Sequence, residues 1–200
     1  AGTDATTYSP AGLVRRGQMA LFIHRIGELV GVEWDTSDAG FTHPGVGLTA
    51  PVLETVRDQV AAGTEPWASY FEAMTTSSAA SRTITPANQN AADPTKPVGT
   101  AFDSQGVNSR FIRDALTAYT QTVLFTTTGD VTYRDNALKT IRLWSQMDPA
   151  QYALFPDAHI HTGIPLNRMV TAAEILRASA CEGEASTWTE ADTQAFSTNL

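Results

Sequence analysis

Apolar residues recur at intervals of three and four along most of this chain, and that spacing most strongly constrains its fold. In the segment 109–129, one face carries Ile112, Ala115, Leu116, Tyr119 and Val123. This period is typical of an amphipathic α-helix, and no segment shows the alternation expected of a half-buried strand. The pattern predicts an all-α fold built from consecutive antiparallel helix hairpins. A toroid, a helical-repeat solenoid and an irregular bundle all remain open.

Turn and capping residues divide this pattern into helices. Pro10 and Gly31 flank a predicted first helix, and the corner TGDVTY, residues 128–133, joins two helices as an antiparallel pair. The stretch TWTE, Thr187–Glu190, fits a capping box that opens the last helix. Trp67 and Trp144 lie on apolar stripes, so both are predicted to be core residues rather than sugar-binding platforms.

The segment from Thr75 to Val107 follows neither period. It contains three prolines and many small polar residues. Irregular segments of this length inside a domain are commonly functional loops or lids, and a surface insertion is an equally good interpretation.

Charge and composition exclude several classes of function. The net charge is −8, from 13 basic and 21 acidic residues, so wrapping of nucleic acid or of an anionic membrane is not expected, and a polyanionic ligand would need a local basic site. No apolar run approaches the roughly 20 residues of a membrane span.

Cys181 is the only cysteine, which excludes an intrachain disulfide. The Thr, Ser and Ala-rich texture with two lysines predicts a processed protein that is secreted or periplasmic.

The stretch DAHIHTGIP places His159 and His161 one residue apart before a predicted helix. A zinc site would need more histidine, cysteine or carboxylate ligands than the neighbouring sequence supplies, so no metal is predicted. The residues themselves leave open whether the histidines are structural or contact a substrate. Arg110 and Arg113 form the best local basic cluster, although ordinary surface arginines are the commoner explanation. No cofactor is predicted, because phosphate-loop and dinucleotide motifs are absent from the sequence.

Four further stretches occur in an informative order: FTHPGVGLTAPVLETVRDQVAAGTEPW, RDALTAYTQTVLFTTTGDVTYRDNALKTIRLWS, HIHTGI and NRMVTAAEILR. In this order and spacing they resemble the N-terminal region of alginate-lyase-like polysaccharide lyases, over roughly residues 41–196. One departure is Arg113 before Asp114, where many relatives are expected to carry Asn.

The resemblance implies an (α/α) toroid that cleaves a uronate-containing acidic polysaccharide, of alginate or glucuronan type, by β-elimination. Residues 1–40 would form an N-terminal helix and connector, and residues 41–200 the N-terminal part of the toroid, with a long irregular loop at 75–107. It also implies that the Asn-His and Tyr elements of catalysis lie downstream, on a second chain or a segment not in this sequence. The residues expected to line the substrate are His159, His161, Arg110, Arg113 and Asn108.

Two other classes of protein remain as alternatives. One is a non-catalytic helical-repeat or carbohydrate-binding module, although the unequal helix spacings disfavour regular repeats. The other is a toroid glycoside hydrolase, which would need a well-placed pair of carboxylates.

Overall fold

The computed structural model describes residues 32–34, 43–45, 48–102, 109–152, 158–181 and 185–200. These residues are mostly helical, which confirms the all-α fold class. None of the helices within them is long and apolar enough to cross a membrane. The first helix predicted between Pro10 and Gly31 lies outside the described residues. The helices are α1 (Ala50–Ala61), α2 (Trp67–Thr75), α3 (Arg110–Thr128), α4 (Val131–Trp144), α5 (Ala158–His161), α6 (Gly163–Ala178) and α7 (Glu190–Asn199).

Helix α3 is the centre of the described fold and packs against α1, α4 and α6. Its first turn is capped by Ser109, whose hydroxyl accepts a hydrogen bond from the Ile112 amide at 3.2 Å. Its last turn ends at Gly129, which has a left-handed backbone (φ 69°) and donates its N–H to Phe125 O at 2.7 Å. Asp130 then caps α4 by accepting from the Thr132 amide. The predicted TGDVTY corner is therefore confirmed.

Helices α3 and α6 run in the same direction, and α4 runs opposite to both. Arg134, in the first turn of α4, lies over the Phe125 ring near the end of α3, 6.0 Å from its centroid. The same guanidinium contacts Cys181 Sγ at 3.3 Å, just after the end of α6. The C-terminal ends of α3 and α6 therefore meet where α4 begins. The N-terminal ends of α3 and α6 lie at the opposite end of the layer that α3, α4 and α6 form.

The core at the N-terminal end of α3 is aromatic. The Phe111 and Trp144 ring centroids are 4.6 Å apart, and Phe102 lies 4.9 Å from Phe111 and 4.7 Å from Tyr152. Trp144 is fully buried, as predicted. Trp67 is 38% exposed, so its prediction as a core residue was wrong. It lies on α2, a helix without a buried residue, whose main packing partner is α1.

Two local sequence predictions are corrected by the structure. Two short strands are present: β1 (Val32–Trp34) pairs antiparallel with β2 (Ser179–Cys181). Three residues are too few to display an alternating pattern, so the sequence did not reveal them. The capping box of α7 is formed by Thr189 and Asp192, two residues after the predicted one. The Thr189 hydroxyl accepts from the Asp192 amide, and the Asp192 carboxylate accepts from the Thr189 amide.

Asp192 also attaches α7 to α4, because its carboxylate accepts two hydrogen bonds from Arg142, at 2.7 and 2.8 Å. The hydrogen bonds from Arg142 lower the pKa of Asp192 from 3.8 to about 2. A carboxyl whose pKa is lowered in the folded state stabilises the protein at pH values above its unfolded-state pKa. This contribution to stability is lost as the pH falls through the folded-state pKa.

We expect Asp192→Ala to lower the free energy of unfolding by about 1–2 kcal/mol at neutral pH, because it removes both a cap and an ion pair. The difference from wild type should shrink as the pH falls from about 5 towards 2. Urea unfolding followed by circular dichroism measures both quantities. Glu190→Ala, in the same first turn, is the control and should change stability by less than about 0.5 kcal/mol. A difference from wild type that is independent of pH would contradict the assigned role of the ion pair.

Candidate functional site

Three of the predicted site residues lie at one end of the helix layer. Arg110 begins α3, and Arg113 follows on the same face because residues three apart on a helix are neighbours. His161 ends α5, directly before α6 begins. Since α3 and α6 run in the same direction, their N-terminal ends bring Arg110, Arg113 and His161 to the same end of the molecule. Arg113 is exposed, whereas Arg110 and His161 are half-buried.

The other two predicted residues are not fully described. Asn108 lies outside the described residues, and so does the side chain of His159, although its backbone belongs to α5. Among the side chains that the structure describes, no group of three or more His, Cys, Asp or Glu residues is placed to hold a metal ion. Of the His-x-His pair, the His161 side chain is among those described.

The irregular segment that follows the 3₁₀ turn at Ser78–Ala80 is fixed to α3 by a buried carboxylate. Asp114 is 2% exposed and accepts hydrogen bonds from the Ala87 amide at 2.6 Å, the Asn88 amide at 2.9 Å and the Trp144 indole N–H at 2.9 Å. Burial raises the pKa of Asp114, and these donors, together with the nearby Arg113, oppose that rise. The carboxylate thus joins the irregular segment, α3 and α4 at one point.

A second buried group fixes the start of the same segment. Gln121 of α3 is fully buried, and its amide nitrogen donates to Ala79 O at 2.7 Å and to Ser81 O at 2.8 Å. Its amide oxygen accepts from Asn136 of α4, which also donates to Arg82 O. The part of the loop at residues 81–102 is therefore attached to two helices. It cannot lift away as a lid without breaking these bonds.

Asn88 connects this loop to the N-terminal end of α3, which carries Arg110 and Arg113 and is called the basic end below. Both ends of the Asn88 side-chain amide are hydrogen-bonded: Nδ2 donates to Gly99 O at 3.1 Å, and Oδ1 accepts from the Gly99 amide at 3.2 Å. The same oxygen accepts from Arg110 Nη1 at 3.3 Å. The Arg110 guanidinium lies so close to Gly99 that a Cβ at residue 99 would be 3.3 Å from Nη2. Arg110 therefore rests on the loop rather than extending into solvent alone.

The contributions of Asn88 and Gly99, which lie 22 and 11 residues before Arg110, were not predicted from the sequence. An isolated Asn and Gly within a polar loop have no periodic or motif signal. A second missed feature is a pair formed by His43 Nδ1 and Glu174 Oε1, residues that are 131 positions apart. Glu174 also faces Arg177, at 3.7 Å. This pair joins two of the stretches that carry the family resemblance, THPG and AAEIL.

The His43–Glu174 pair belongs to a different region from the basic end. Glu174 lies thirteen residues after His161, mostly along α6, which corresponds to roughly 20 Å of helix at 1.5 Å per residue. The two side chains are 24% and 18% exposed. The pair therefore connects the segment before α1 to the middle of helix α6.

Comparison of the chain with protein-family models, curated proteins and solved structures gives no match. The polysaccharide-lyase resemblance therefore remains a prediction from the sequence.

Proposed function

We propose that this chain forms part of a polysaccharide lyase that acts on a uronate-containing acidic polysaccharide by β-elimination, with the basic end of α3 and α6 lining the substrate. The observation that carries the proposal is the placement of Arg110, Arg113 and His161 at one end of two parallel helices. In a chain with a net charge of −8, two arginines in one helical turn, with an imidazole at the same end of the neighbouring helix, are suited to an anionic ligand.

The chemistry of β-elimination makes use of such groups. A base removes the C5 proton, the electron pair forms the C4–C5 double bond, and the O4 oxygen leaves with a proton from an acid. The C5 proton is removed only if the charge on the uronate carboxylate is neutralised, because the intermediate carries enolate character. Arginine binds carboxylates with two parallel hydrogen bonds, and fixed donors at such a position lower the barrier.

The order of helices is compatible with part of an (α/α) toroid, which we propose as the complete architecture. Toroids consist of helix hairpins in which alternate helices run in the same direction. The arrangement of α3, α4 and α6 follows this rule: the first and third are parallel, and the second is antiparallel to both. Irregular bundles also contain this arrangement, so the assignment to a toroid depends on the sequence resemblance as well.

The test is incubation of the protein with mannuronate, guluronate and glucuronate polymers, followed by two product assays and a binding assay. A lyase generates an unsaturated sugar end that absorbs ultraviolet light. A glycoside hydrolase generates reducing ends without that absorbance, and a binding module retains the polymer without product. We expect this chain alone to bind at least one uronate polymer and no neutral glucan, and ultraviolet-absorbing ends to appear once the segment or second chain that carries the Asn-His and Tyr elements is added. Absence of both product and binding with every uronate polymer would contradict the proposal.

A further inference from the structure

We infer that His43 is a general base for the C5 proton of a uronate residue, with Glu174 as its positioning residue and Arg177 as the cation that binds the uronate carboxylate. This inference rests on the proposed function for its class of substrate. It assigns the proton transfer to a cluster of three side chains that is separate from the basic end. These side chains come from two segments, the THPG stretch before α1 and the second half of α6.

The first step of the argument is the orientation of the His43 imidazole. Its Nδ1 is hydrogen-bonded to Glu174 Oε1. An ionised carboxylate only accepts hydrogen bonds, so Nδ1 carries the proton and, in the neutral imidazole, Nε2 has the lone pair. A histidine held in one tautomer by a carboxylate is an arrangement that general bases use. Glu174 therefore fixes both the tautomer and the direction of the ring.

The second step is the availability of Nε2. Within the part of the chain that the structure describes, this atom has no hydrogen-bond partner, and the His43 side chain is 24% exposed. The next residue, Pro44, is buried, so the backbone that carries the imidazole is anchored against the protein. An anchored and partly exposed ring, with Nδ1 bonded and Nε2 open, can accept a proton from a ligand at the surface.

The third step is the neighbouring cation. Arg177 lies one turn after Glu174 on α6, and its Nη1 is 3.7 Å from Glu174 Oε2. This distance is too long for a hydrogen bond, and the Arg177 side chain is 48% exposed. None of the described residues accepts a hydrogen bond from the guanidinium, so its donors can turn to a ligand carboxylate. The imidazole and the guanidinium therefore flank the two oxygens of one carboxylate.

A base and a cation side by side suit the first half of β-elimination. His43 Nε2 takes the C5 proton, and the electron pair of the broken C–H bond moves into the carboxyl group to give an enolate-like intermediate. Arg177 binds that carboxyl through paired N–H donors and stabilises the added charge.

Without an acid to protonate O4, the imidazolium returns its proton to C5 and the sugar is unchanged. In deuterium oxide the imidazolium first exchanges its proton with the solvent, so a deuteron returns to C5. The chain alone should therefore exchange the C5 hydrogen of a bound uronate, although cleavage needs the elements that the family resemblance implies downstream.

The experiment incubates the chain in deuterium oxide with octasaccharides of mannuronate, guluronate or glucuronate. An octasaccharide is long enough to reach from the basic end to the cluster, roughly 20 Å along α6. Proton magnetic resonance follows the loss of the C5 signal, and isothermal titration calorimetry gives the Kd. We expect wild type to exchange the C5 hydrogen of the uronate that it binds. His43→Gln should lower the exchange rate at saturating ligand by at least about 100-fold.

The variants of Glu174 and Arg177 separate positioning from binding. Glu174→Gln should lower the saturated exchange rate by at least about tenfold, because the imidazole loses its fixed tautomer. Its Kd should change by less than about twofold, since Glu174 does not contact the ligand. Arg177→Gln should weaken binding by about tenfold and lower exchange as well, because it removes a carboxylate contact. Glu190→Gln, at an exposed position on α7, is the matched control and should behave as wild type does.

Circular dichroism of each variant checks that the fold is retained. If wild type binds an octauronate without C5 exchange, or if His43→Gln exchanges at the wild-type rate, the inference is wrong and the proposed function stands. Exchange at the wild-type rate in Glu174→Gln would overturn the positioning role. If wild type binds no octauronate more strongly than a neutral octasaccharide, both the proposed function and the inference fail.

Discussion

Asp114→Ala is expected to lower the free energy of unfolding by about 3 kcal/mol, because it leaves two buried N–H groups and one partly buried N–H group without an acceptor. Two of these donors are the backbone amides of Ala87 and Asn88, and the third is the Trp144 indole, which is itself fully buried. Each unsatisfied buried donor has a desolvation cost of about 1–3 kcal/mol, partly relieved when the loop shifts to admit water.

Urea unfolding, followed by far-ultraviolet circular dichroism, gives the loss directly. Hydrogen exchange provides a local readout, since the amides of Ala87 and Asn88 should exchange much faster in the variant than in wild type. The matched control is Asp58→Ala, which removes a carboxylate that is 69% exposed and paired with its neighbour Arg57. It should change stability by no more than about 0.5 kcal/mol. A loss below about 1 kcal/mol for Asp114→Ala would show that the carboxylate does not anchor the loop.

The helical hairpin of α3 and α4 could be predicted from the sequence because its determinants are local. Its apolar stripes have the helical period, Gly129 supplies the left-handed residue at the corner, and Asp130 caps the next helix. Each of these signals lies within a few residues of the structure that it specifies. For the same reason the existence of α7 was predicted, although its capping box begins at Thr189 rather than at Thr187.

Features that depend on distant partners were not predictable from the sequence. Trp67 lies on a helical apolar stripe, yet its burial depends on whether another element covers α2, and a single sequence does not contain that information. The pairing of β1 with β2 joins residues 149 positions apart at Val32 and Cys181. The same distinction applies to the candidate site. Arg110 and Arg113 were identified as a local cluster in the sequence, whereas the contact of Asn88 with Arg110 depends on the fold of the loop.

Gln121→Leu is the second substitution with a large expected effect, a loss of about 2–3 kcal/mol in the free energy of unfolding. Leucine has nearly the volume of glutamine, so the change removes hydrogen bonds without opening a large cavity. The carbonyls of Ala79 and Ser81 lose their donor, and the amide of Asn136 loses an acceptor. The control Gln194→Leu replaces an exposed glutamine that bonds to Thr198 one turn away, and should change stability by less than about 0.5 kcal/mol.

The double variant Gln121→Leu with Asp114→Ala tests whether the two buried groups act as anchors of one loop. They lie seven residues apart on α3, about two helical turns, and they hold the start and the middle of the same irregular segment. Once either group is lost and the segment separates from α3, the remaining group makes fewer contacts with the segment. The combined loss of unfolding free energy should therefore be smaller than the sum of the two single losses. Urea unfolding of all four proteins gives the coupling energy. Losses that add within about 0.5 kcal/mol would mean that each end of the segment is held independently, and the loop would then be two structural units rather than one.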